Sequence, residues 1–339
     1  NYDFGGNVST SYYKNGLANS KLTWERTQEF NVGLDFGFFR NRINGSLDVY
    51  QRTSKDLIME RQLPSTTGWT SVWDNIGKVR NTGLELSINT INVQTSDFSW
   101  QTNIIFDTNK NEILELYGGK KDDIGNKWFI GEAINVNYDY EFDGIWQTSE
   151  ADKAAIYGQT PGQVKVKDQN HDNVIDAKDK VILGQQLPKW TGSITNTFTY
   201  KNWDLAFNVY TRQGAQLNST FVSSFMAYDG NYNQAKVDYW TETNPTNKYP
   251  QPGNKGKYFS SMCYQDVSFV RVGYITLGYT FPMSLLKPIG IKRLKLYATA
   301  NNPFLFTSFK GFDPEWATQN TWGEATSTRT FLFGVKLAF

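Results

Sequence analysis

Residues 30–38 read FNVGLDFGF, and every second side chain of this stretch is apolar. The positions between them carry Asn, Gly, Asp and Gly. An apolar side chain at every second residue indicates a β-strand with one apolar face and one polar face. The stretch is also longer than the roughly 5–6 residues usual in soluble sheets. It therefore predicts a long strand that separates an apolar environment from a polar one.

The same two-residue period recurs along the chain. Apolar and polar residues alternate in LELSIN (84–89), WDLAFNV (203–209) and FLFGVKLAF (331–339). Most such segments reach or exceed the ~9–11 residues that a tilted strand needs to cross a bilayer. We therefore expect an all-β chain with membrane-spanning antiparallel strands near residues 27–39, 42–54, 80–92, 97–108, 192–201, 202–212, 267–281, 291–301 and 327–339.

The connections between these strands alternate in length. The short ones fall at 38–42, 93–97, 200–202 and 281–290, and the long ones cover roughly 55–79, 109–191, 213–266 and 302–326. Outer-membrane barrels have short periplasmic turns and long extracellular loops. Nothing in a soluble β-sandwich requires every long loop to lie at the same end. We therefore expect 109–191 and 213–266 to be large extracellular loop regions.

The number of predicted strands is odd, and bacterial barrels of this kind have an even number. An open sheet in lipid would leave unpaired backbone groups, each costing several kcal/mol. We therefore expect residues 1–339 to be the C-terminal part of a larger barrel whose other strands come from an upstream segment.

Composition excludes several classes of protein. The net charge is +1 without a basic run, so nothing predicts nucleic-acid binding. The chain has one cysteine and one histidine, Cys263 and His171, which permits no internal disulfide and leaves little room for a catalytic triad. Neither a phosphate loop nor a nucleophile elbow occurs, so we expect no enzyme. Aromatic residues make up 16%, which suits a barrel with an apolar outer wall.

Six stretches of the sequence resemble the C-terminal region of SusC-type, TonB-dependent outer-membrane transporters. They are LTWERTQEFNVGLDFGFFRNRINGSLDVYQRTSKDLI (22–58), NIGKVRNTGLELSINT (75–90), LPKWTGSITNTFTYKNWDLAFNVYTRQG (187–214), YWTETNPTNKYP (239–250), SFVRVGYITLGYTFP (268–282) and LYATANNPFLFTSFKGFDPE (296–315). They follow the order of the family and cover most of the chain, and the last two are the most specific.

The resemblance implies a transmembrane β-barrel of about 22 strands in the outer membrane of a Gram-negative bacterium. It also implies a plug domain upstream of this chain, import energised through TonB, and a SusD-like surface lipoprotein that caps the barrel. Oligosaccharides are the expected substrates, with peptides as an alternative, and whether two such complexes pair as a dimer stays open.

The acidic loop, residues 168–179, reads DQNHDNVIDAKD and has the spacing of a calcium-binding loop. Asn173 replaces the usual glycine, and Asn tolerates a left-handed backbone. Asp179 replaces the usual glutamate, and His171 falls at a spacer position. The alternative is an ordinary solvated turn rich in Asp and Asn. We predict a structural Ca²⁺ with ligands Asp168, Asn170, Asp172, the carbonyl of Val174, Asp176 and Asp179.

Two further groups of residues are candidate functional sites. The first comprises loop aromatics that could contact a ligand, contact a partner protein, or pack among themselves: Trp69, Trp73, Trp128, Trp146, Tyr228, Tyr232 and Trp240. The second would face lipid and form the C-terminal signal for barrel assembly: Phe331, Phe333, Val335, Leu337 and Phe339. For this second group the alternative is the last strand of a soluble sheet.

Two functions from other classes compete with transport. The aromatics and the acidic loop would also fit a secreted all-β module that binds glycans, which would be soluble and monomeric in buffer. An outer-membrane enzyme is a weaker alternative, because the sequence contains no catalytic motif.

Overall fold

The fold comes from a computed structural model that describes residues 2–4, 7–9, 17, 19–228, 234–317 and 326–339. Its strands are β1 (Tyr2–Phe4), β2 (Asn7–Ser9), β3 (Arg26–Phe38), β4 (Ile43–Gln62), β5 (Ser71–Gln94), β6 (Phe98–Leu116), β7 (Val136–Tyr140), β8 (Phe142–Ile145), β9 (Val164–Val166), β10 (Lys180–Gln185), β11 (Trp190–Tyr200), β12 (Trp203–Gln213), β13 (Gln216–Asn218), β14 (Tyr264–Asp266), β15 (Phe269–Thr280), β16 (Arg293–Thr307) and β17 (Thr330–Ala338).

The helices among the described residues are short. They are α1 (Ala151–Ile156), α2 (Thr220–Phe225) and α3 (Met283–Leu286), with 3-10 turns at Ser65–Thr67, Thr148–Glu150, Ala177–Asp179, Phe259–Cys263, Lys287–Ile289 and Pro314–Trp316. Among the described residues, no helix is long and apolar enough to cross a membrane.

Nine of the described strands form one large sheet, in the order β17-β16-β15-β12-β11-β6-β5-β4-β3. The strand pairs of known register, from β6 through β11, β12, β15 and β16 to β17, are antiparallel. Smaller two-stranded sheets pair β1 with β2, β7 with β10, β8 with β9 and β13 with β14. The nine strands predicted from the two-residue period are therefore confirmed.

The prediction of a long loop at residues 55–79 is wrong. Residues 55–79 are mostly strand, because β4 continues to Gln62 and β5 begins at Ser71. The strand β6 likewise runs to Leu116, past the predicted end at 108. These strands have 20, 24 and 19 residues, about twice what a bilayer requires. Beyond the predicted strand ends, the buried residues are three or four positions apart, so the two-residue alternation stops there; they are Val72, Ile76 and Val79 of β5 and Ile113 and Leu116 of β6.

The described residues fall into two compact units: 1–31, 50–82 and 110–134 form the first, and 32–49, 83–109 and 135–339 form the second. The first has a small apolar core of Val79, Ile113 and Leu116. The second holds most of the large sheet and a larger apolar core among residues 140–263.

Candidate functional site

The large sheet has one apolar face and one polar face. Leu277 on β15 lies opposite Ala298 on β16, which lies opposite Phe333 on β17. One residue along, Thr276 lies opposite Thr299, and their hydroxyls hydrogen bond at 2.9 Å. Because side chains alternate between the two faces of a strand, these two rows point in opposite directions. The sheet therefore separates an apolar surface from a hydrogen-bonding one, as FNVGLDFGF predicts.

Polar side chains interrupt the apolar face on β6 and β11. Asn196 lies opposite Thr102 and beside Phe207, and its Oδ1 accepts hydrogen bonds from Thr102 Oγ1 at 2.7 Å and from Trp100 Nε1 at 2.8 Å. These internal hydrogen bonds reduce the cost of placing an amide on an apolar surface.

The polar face carries two successive rows of uncharged residues, which we call the amide belt. The first row comprises Asn103, Thr195, Asn208, Tyr274, Asn301 and Thr330. The second row, two positions away along each strand, comprises Gln101, Thr197, Ala206, Thr276, Thr299 and Leu332. Each residue lies directly opposite the next on the neighbouring strand, so the belt crosses β6, β11, β12, β15, β16 and β17.

Hydrogen bonds within the belt and to neighbouring polar residues satisfy part of the amide belt. Asn208 Nδ2 donates to Ser193 Oγ and to Thr195 Oγ1, both at 2.9 Å. Asn103 Nδ2 donates at 2.8 Å to Asn89 Oδ1, which extends the polar surface onto β5. Gln101, Thr197 and Asn103 also line a concavity of about 350 Å³.

Charged groups lie on either side of the amide belt along the strands. Towards the short turns, Lys295 Nζ lies 2.7 Å from Asp204 Oδ1. Towards the long loops, Arg271 and Asp313 form an ion pair of 2.6 Å in which both side chains are 3% exposed. Glu315 extends this second group, because its carboxylate lies 3.2 Å from Arg212 and accepts a hydrogen bond from Tyr210 Oη at 2.9 Å.

Asp313 is held in its ionised form. Burial alone would raise the pKa of its carboxyl, but hydrogen bonds from the backbone N–H groups of Glu315 and Ser327 and the charge on Arg271 together lower it. The Oδ1 atom accepts from Glu315 N at 3.0 Å, and Oδ2 accepts from Ser327 N at 3.0 Å. One buried carboxylate therefore ties both described ends of the loop between β16 and β17 to strand β15.

The residues predicted as long loops between 135 and 266 have an apolar core of their own. Trp146 and Trp240, both 3% exposed, are among its buried aromatics. Trp146 Nε1 donates to Gln159 Oε1 at 2.9 Å, and Trp240 Nε1 donates to Gln147 Oε1 at 3.0 Å. For these two tryptophans, burial favours packing within the loops over contact with a ligand or with a partner protein.

The remaining loop aromatics differ in exposure. Trp128 packs against the core of Val79, Ile113 and Leu116. Tyr228 is half-buried, and its hydroxyl donates to the carbonyl of Ala235. The two aromatics with open faces are Trp69 and Trp73, which are 37% and 54% exposed. Tyr232 lies outside the described residues.

Side chains of the acidic loop accept hydrogen bonds from the backbone of the same loop. Asp168 Oδ1 accepts from His171 N at 2.7 Å, and Oδ2 accepts from Asn173 N at 2.9 Å. Asn173 has a φ of 64°, the left-handed conformation that favours glycine. Asp179 is fully buried and accepts hydrogen bonds from Gln169 N and Asp176 N.

The alternating oxygen side chains of the acidic loop include Asn170 Oδ1, which accepts from Asp172 N, and Asp172 Oδ1, which accepts from Val174 N. Among the described residues, no three His, Cys, Asp or Glu side chains form a group that could hold a metal ion. The calcium site therefore stays a prediction from the sequence.

The predicted assembly signal lies on the last strand. Phe331, Phe333, Val335 and Leu337 share the apolar face of β17, opposite Ala300, Ala298, Leu296 and Leu294 of β16. Phe339 follows the strand and is 76% exposed. Their placement on one exposed face is what contact with lipid requires, and their role in assembly stays a prediction.

Sequence reasoning missed both the amide belt and the buried ion pair. The belt exists only once the register of six strands is known, and each of its residues alone is an ordinary polar position. The ion pair left a signal in the stretch GFDPE (311–315), in which Asp and Glu flank a proline after a predicted strand. Its arginine partner lies 42 residues upstream, so the pairing could not be predicted from the local sequence.

Comparison with known proteins gives consistent matches. The family model described as "TonB dependent receptor-like, beta-barrel" matches residues 1–302. The TonB-dependent receptor P26 of Formosa agariphila is 32% identical, over 88% of this chain and 32% of its own length. The TonB-dependent receptor SusC of Bacteroides thetaiotaomicron is 31% identical, over 100% of this chain and 34% of its own.

A solved structure of the RagAB peptide transporter matches 95% of this chain and 36% of its own, with a TM-score of 0.75 and 26% identity. The chain thus spans about a third of the length of the relatives it matches. Both the family model and the identities cover most of the chain, and the two-faced sheet has the geometry of a membrane barrel wall. The chain therefore belongs to the family of TonB-dependent receptor-like β-barrels, proteins of the outer membrane of Gram-negative bacteria.

Proposed function

We propose that the protein containing this chain imports hydrophilic oligomers across the outer membrane as a SusC-like transporter, with energy delivered through TonB. The observation that carries the proposal is the large sheet, whose apolar face suits lipid and whose polar face suits a water-filled lumen. The similarity to SusC over the whole chain supports the same function. We propose no enzymatic role, since the relatives are transporters and receptors.

We propose a SusD-like surface lipoprotein as the partner of the barrel. The similarity to SusC and to the RagAB transporter supports this assembly. Trp69 and Trp73, with their exposed rings, are the candidate partner contacts, because exposed aromatic side chains commonly anchor protein interfaces.

We propose oligosaccharides as the substrate. The amide belt supports this, because amide and hydroxyl groups exchange hydrogen bonds with sugar hydroxyls. Peptides are the second candidate, and the similarity to a peptide transporter favours them.

We further propose that Ca²⁺ binds the acidic loop in a structural role. The spacing of its oxygen side chains and the left-handed Asn173 support the proposal.

Deletion of the gene tests the import function. The deletion strain should stop growing on one class of oligosaccharide as sole carbon source, and growth should return when the intact gene is restored. A strain lacking TonB should show the same loss, while growth on the corresponding monosaccharide should be unchanged. Unimpaired growth of the deletion strain on every glycan and peptide tried would refute the function.

A further inference from the structure

The short connections between strands of the large sheet are basic. They comprise residues 39–42, 95–97, 201–202 and 281–292, which we call the short-turn rim. The rim holds five basic residues and one acidic residue, whereas the whole chain has 34 basic and 33 acidic residues. In an outer-membrane barrel the short connections lie on the periplasmic side, so the rim lies beside the inner leaflet. Its charged residues are Arg40, Arg42, Asp97, Lys201, Lys287 and Lys292.

An aromatic row borders the rim on the apolar face of the sheet. Tyr200 on β11 lies opposite Phe98 on one side and Trp203 on the other. Trp203 in turn lies opposite Tyr279, and the centres of these two rings are 4.7 Å apart. Tyr279 is two residues from Leu277, so the row shares the apolar face. Tyrosine and tryptophan are typical of the level at which acyl chains meet head groups.

The ammonium group of Lys201 lies on the same side of the sheet as these rings. Its Nζ is 5.5 Å from the centre of the Tyr200 ring, and Tyr200 is 53% exposed. Asp97 accepts the backbone N–H of Lys201 through its carbonyl oxygen at 2.7 Å. Within the part of the chain that the structure describes, the Lys201 ammonium forms no ion pair. A positive charge therefore stands beside an exposed ring at the edge of the apolar face.

The longest connection of the rim, 281–292, continues this surface. Phe281 extends the aromatic row, because the centre of its ring lies 5.1 Å from that of Tyr279. Lys287 and Lys292 are both exposed. Large apolar side chains beside basic ones favour the boundary of a membrane that contains anionic lipid. Three such apolar side chains of the connection are more than half exposed: Met283, Leu285 and Ile289.

We propose that the short-turn rim binds the phosphate groups of anionic phospholipids in the inner leaflet of the outer membrane. The ammonium groups of Lys201, Lys287 and Lys292 contact the phosphates, while the neighbouring rings and apolar side chains contact the upper acyl chains. Phospholipid is the occupant that fits, because the aromatic row continues the apolar face and the charge of the rim is opposite to that of phosphate. The inference goes beyond import, since it does not depend on which substrate crosses the barrel.

Native mass spectrometry of the full-length transporter tests the role of the charge. The delipidated protein in detergent is offered equal amounts of phosphatidylglycerol and phosphatidylethanolamine, which share the phosphate but differ in net charge. Lys201→Gln removes the ammonium group beside Tyr200. Lys257→Gln is the matched control, because Lys257 is also exposed and its Nζ also lies over a neighbouring ring, 4.8 Å from the centre of Tyr258 in the loop core.

The unmodified protein should bind phosphatidylglycerol more tightly than phosphatidylethanolamine. Lys201→Gln should weaken binding of the first phosphatidylglycerol roughly fivefold, the effect of one lysine beside an anionic lipid surface. Lys257→Gln should leave it unchanged. Equal affinity of the unmodified protein for the two lipids, or a Lys201→Gln variant that binds them like Lys257→Gln, would overturn the inference.

A second measurement locates the connection 281–292 relative to the bilayer. Leu285→Cys and Ile156→Cys each place one fluorophore on the full-length protein in bilayers that contain brominated phosphatidylglycerol. The two native side chains are 63% and 61% exposed, and Ile156 lies in α1 among the long loops. Quenching should be strong at position 285 and weak at position 156. Weak quenching at position 285 would place the connection in water and overturn the inference, even where import is intact.

One outcome would assign the rim to a different partner. If Lys201→Gln impairs import in cells while its phospholipid binding equals that of the unmodified protein, the rim contacts a periplasmic protein, and the phospholipid inference is overturned while the import function stands.

Discussion

Removing the carboxylate of Asp313 should release the loop between β16 and β17. Arg271 and Asp313 are 3% exposed and 2.6 Å apart, so the substitution Asp313→Ala removes the nearer carboxylate from a buried guanidinium. The carboxylate that remains beside it is Glu315, whose Oε2 lies 3.7 Å from Arg271 Nε. Losing one member of a buried pair costs roughly 3–5 kcal/mol. The same substitution removes the acceptor for the backbone N–H groups of Glu315 and Ser327.

That free energy sets the size of the expected effect. Since each 1.4 kcal/mol is about a factor of ten, opening of the loop should become about two to four orders of magnitude more frequent. Hydrogen exchange followed by mass spectrometry on the assembled transporter measures this directly, in peptides covering 308–317 and 326–329. Those peptides should lose their protection, while peptides from β11 keep theirs.

Two variants serve as controls. Lys295→Met breaks the Lys295–Asp204 pair, which is partly exposed and does not contact the loop, so exchange in the loop should be unchanged. Arg271→Met combined with Asp313→Asn removes both charges, and should restore much of the protection because no unpaired charge remains buried. Wild-type protection in Asp313→Ala would refute the reasoning.

The other predictions concern the acidic loop, the C-terminus and the loop core. Calcium should protect the acidic loop from proteolysis, and Asp172→Ala should abolish the gain; equal cleavage of the wild type with and without calcium would speak against the site. Phe339→Ala should lower the amount of heat-modifiable, assembled barrel in membranes, whereas Leu285→Ala, which is 63% exposed in a short connection against 76% for Phe339, should not; equal yields would remove the assembly role. Trp240→Ala should cost roughly 3–5 kcal/mol of stability in the loop core and expose it to protease, whereas Ile156→Ala, 61% exposed, should change little; intact resistance in Trp240→Ala would be the contrary result.

The sequence predicted the membrane part of the sheet well, because there one face must be apolar and the other polar. The strand around WDLAFNV, predicted at 202–212, is observed at Trp203–Gln213. Strand ends outside the bilayer were missed, as at β5, which begins at Ser71 instead of near residue 80. The buried residues of this stretch, Val72, Ile76 and Val79, are three or four positions apart, so the sequence shows no two-residue period there.

The candidate sites were less predictable, because they depend on which residues meet across strands and loops. Trp146 and Trp240 are 3% exposed, and nothing local distinguishes them from Trp73, which is 54% exposed. The amide belt required the register of β6, β11 and β12, which hydrophobic alternation fixes only after the strands are paired. The pairing of Arg271 with Asp313 could not be predicted either, since the two residues are 42 positions apart in the sequence.

The assignment of the two faces of the sheet can be measured with single cysteines on β15. The native Cys263 is 1% exposed, and burial raises the pKa of its thiol to about 12, so it should not react with labels. Leu277→Cys and Thr276→Cys place one fluorophore on each face of the same strand in the full-length protein reconstituted into bilayers containing brominated lipid. Strong quenching at position 277 and weak quenching at 276 is the expected result; equal quenching at both, or the reverse order, would mean that the apolar face does not meet the membrane.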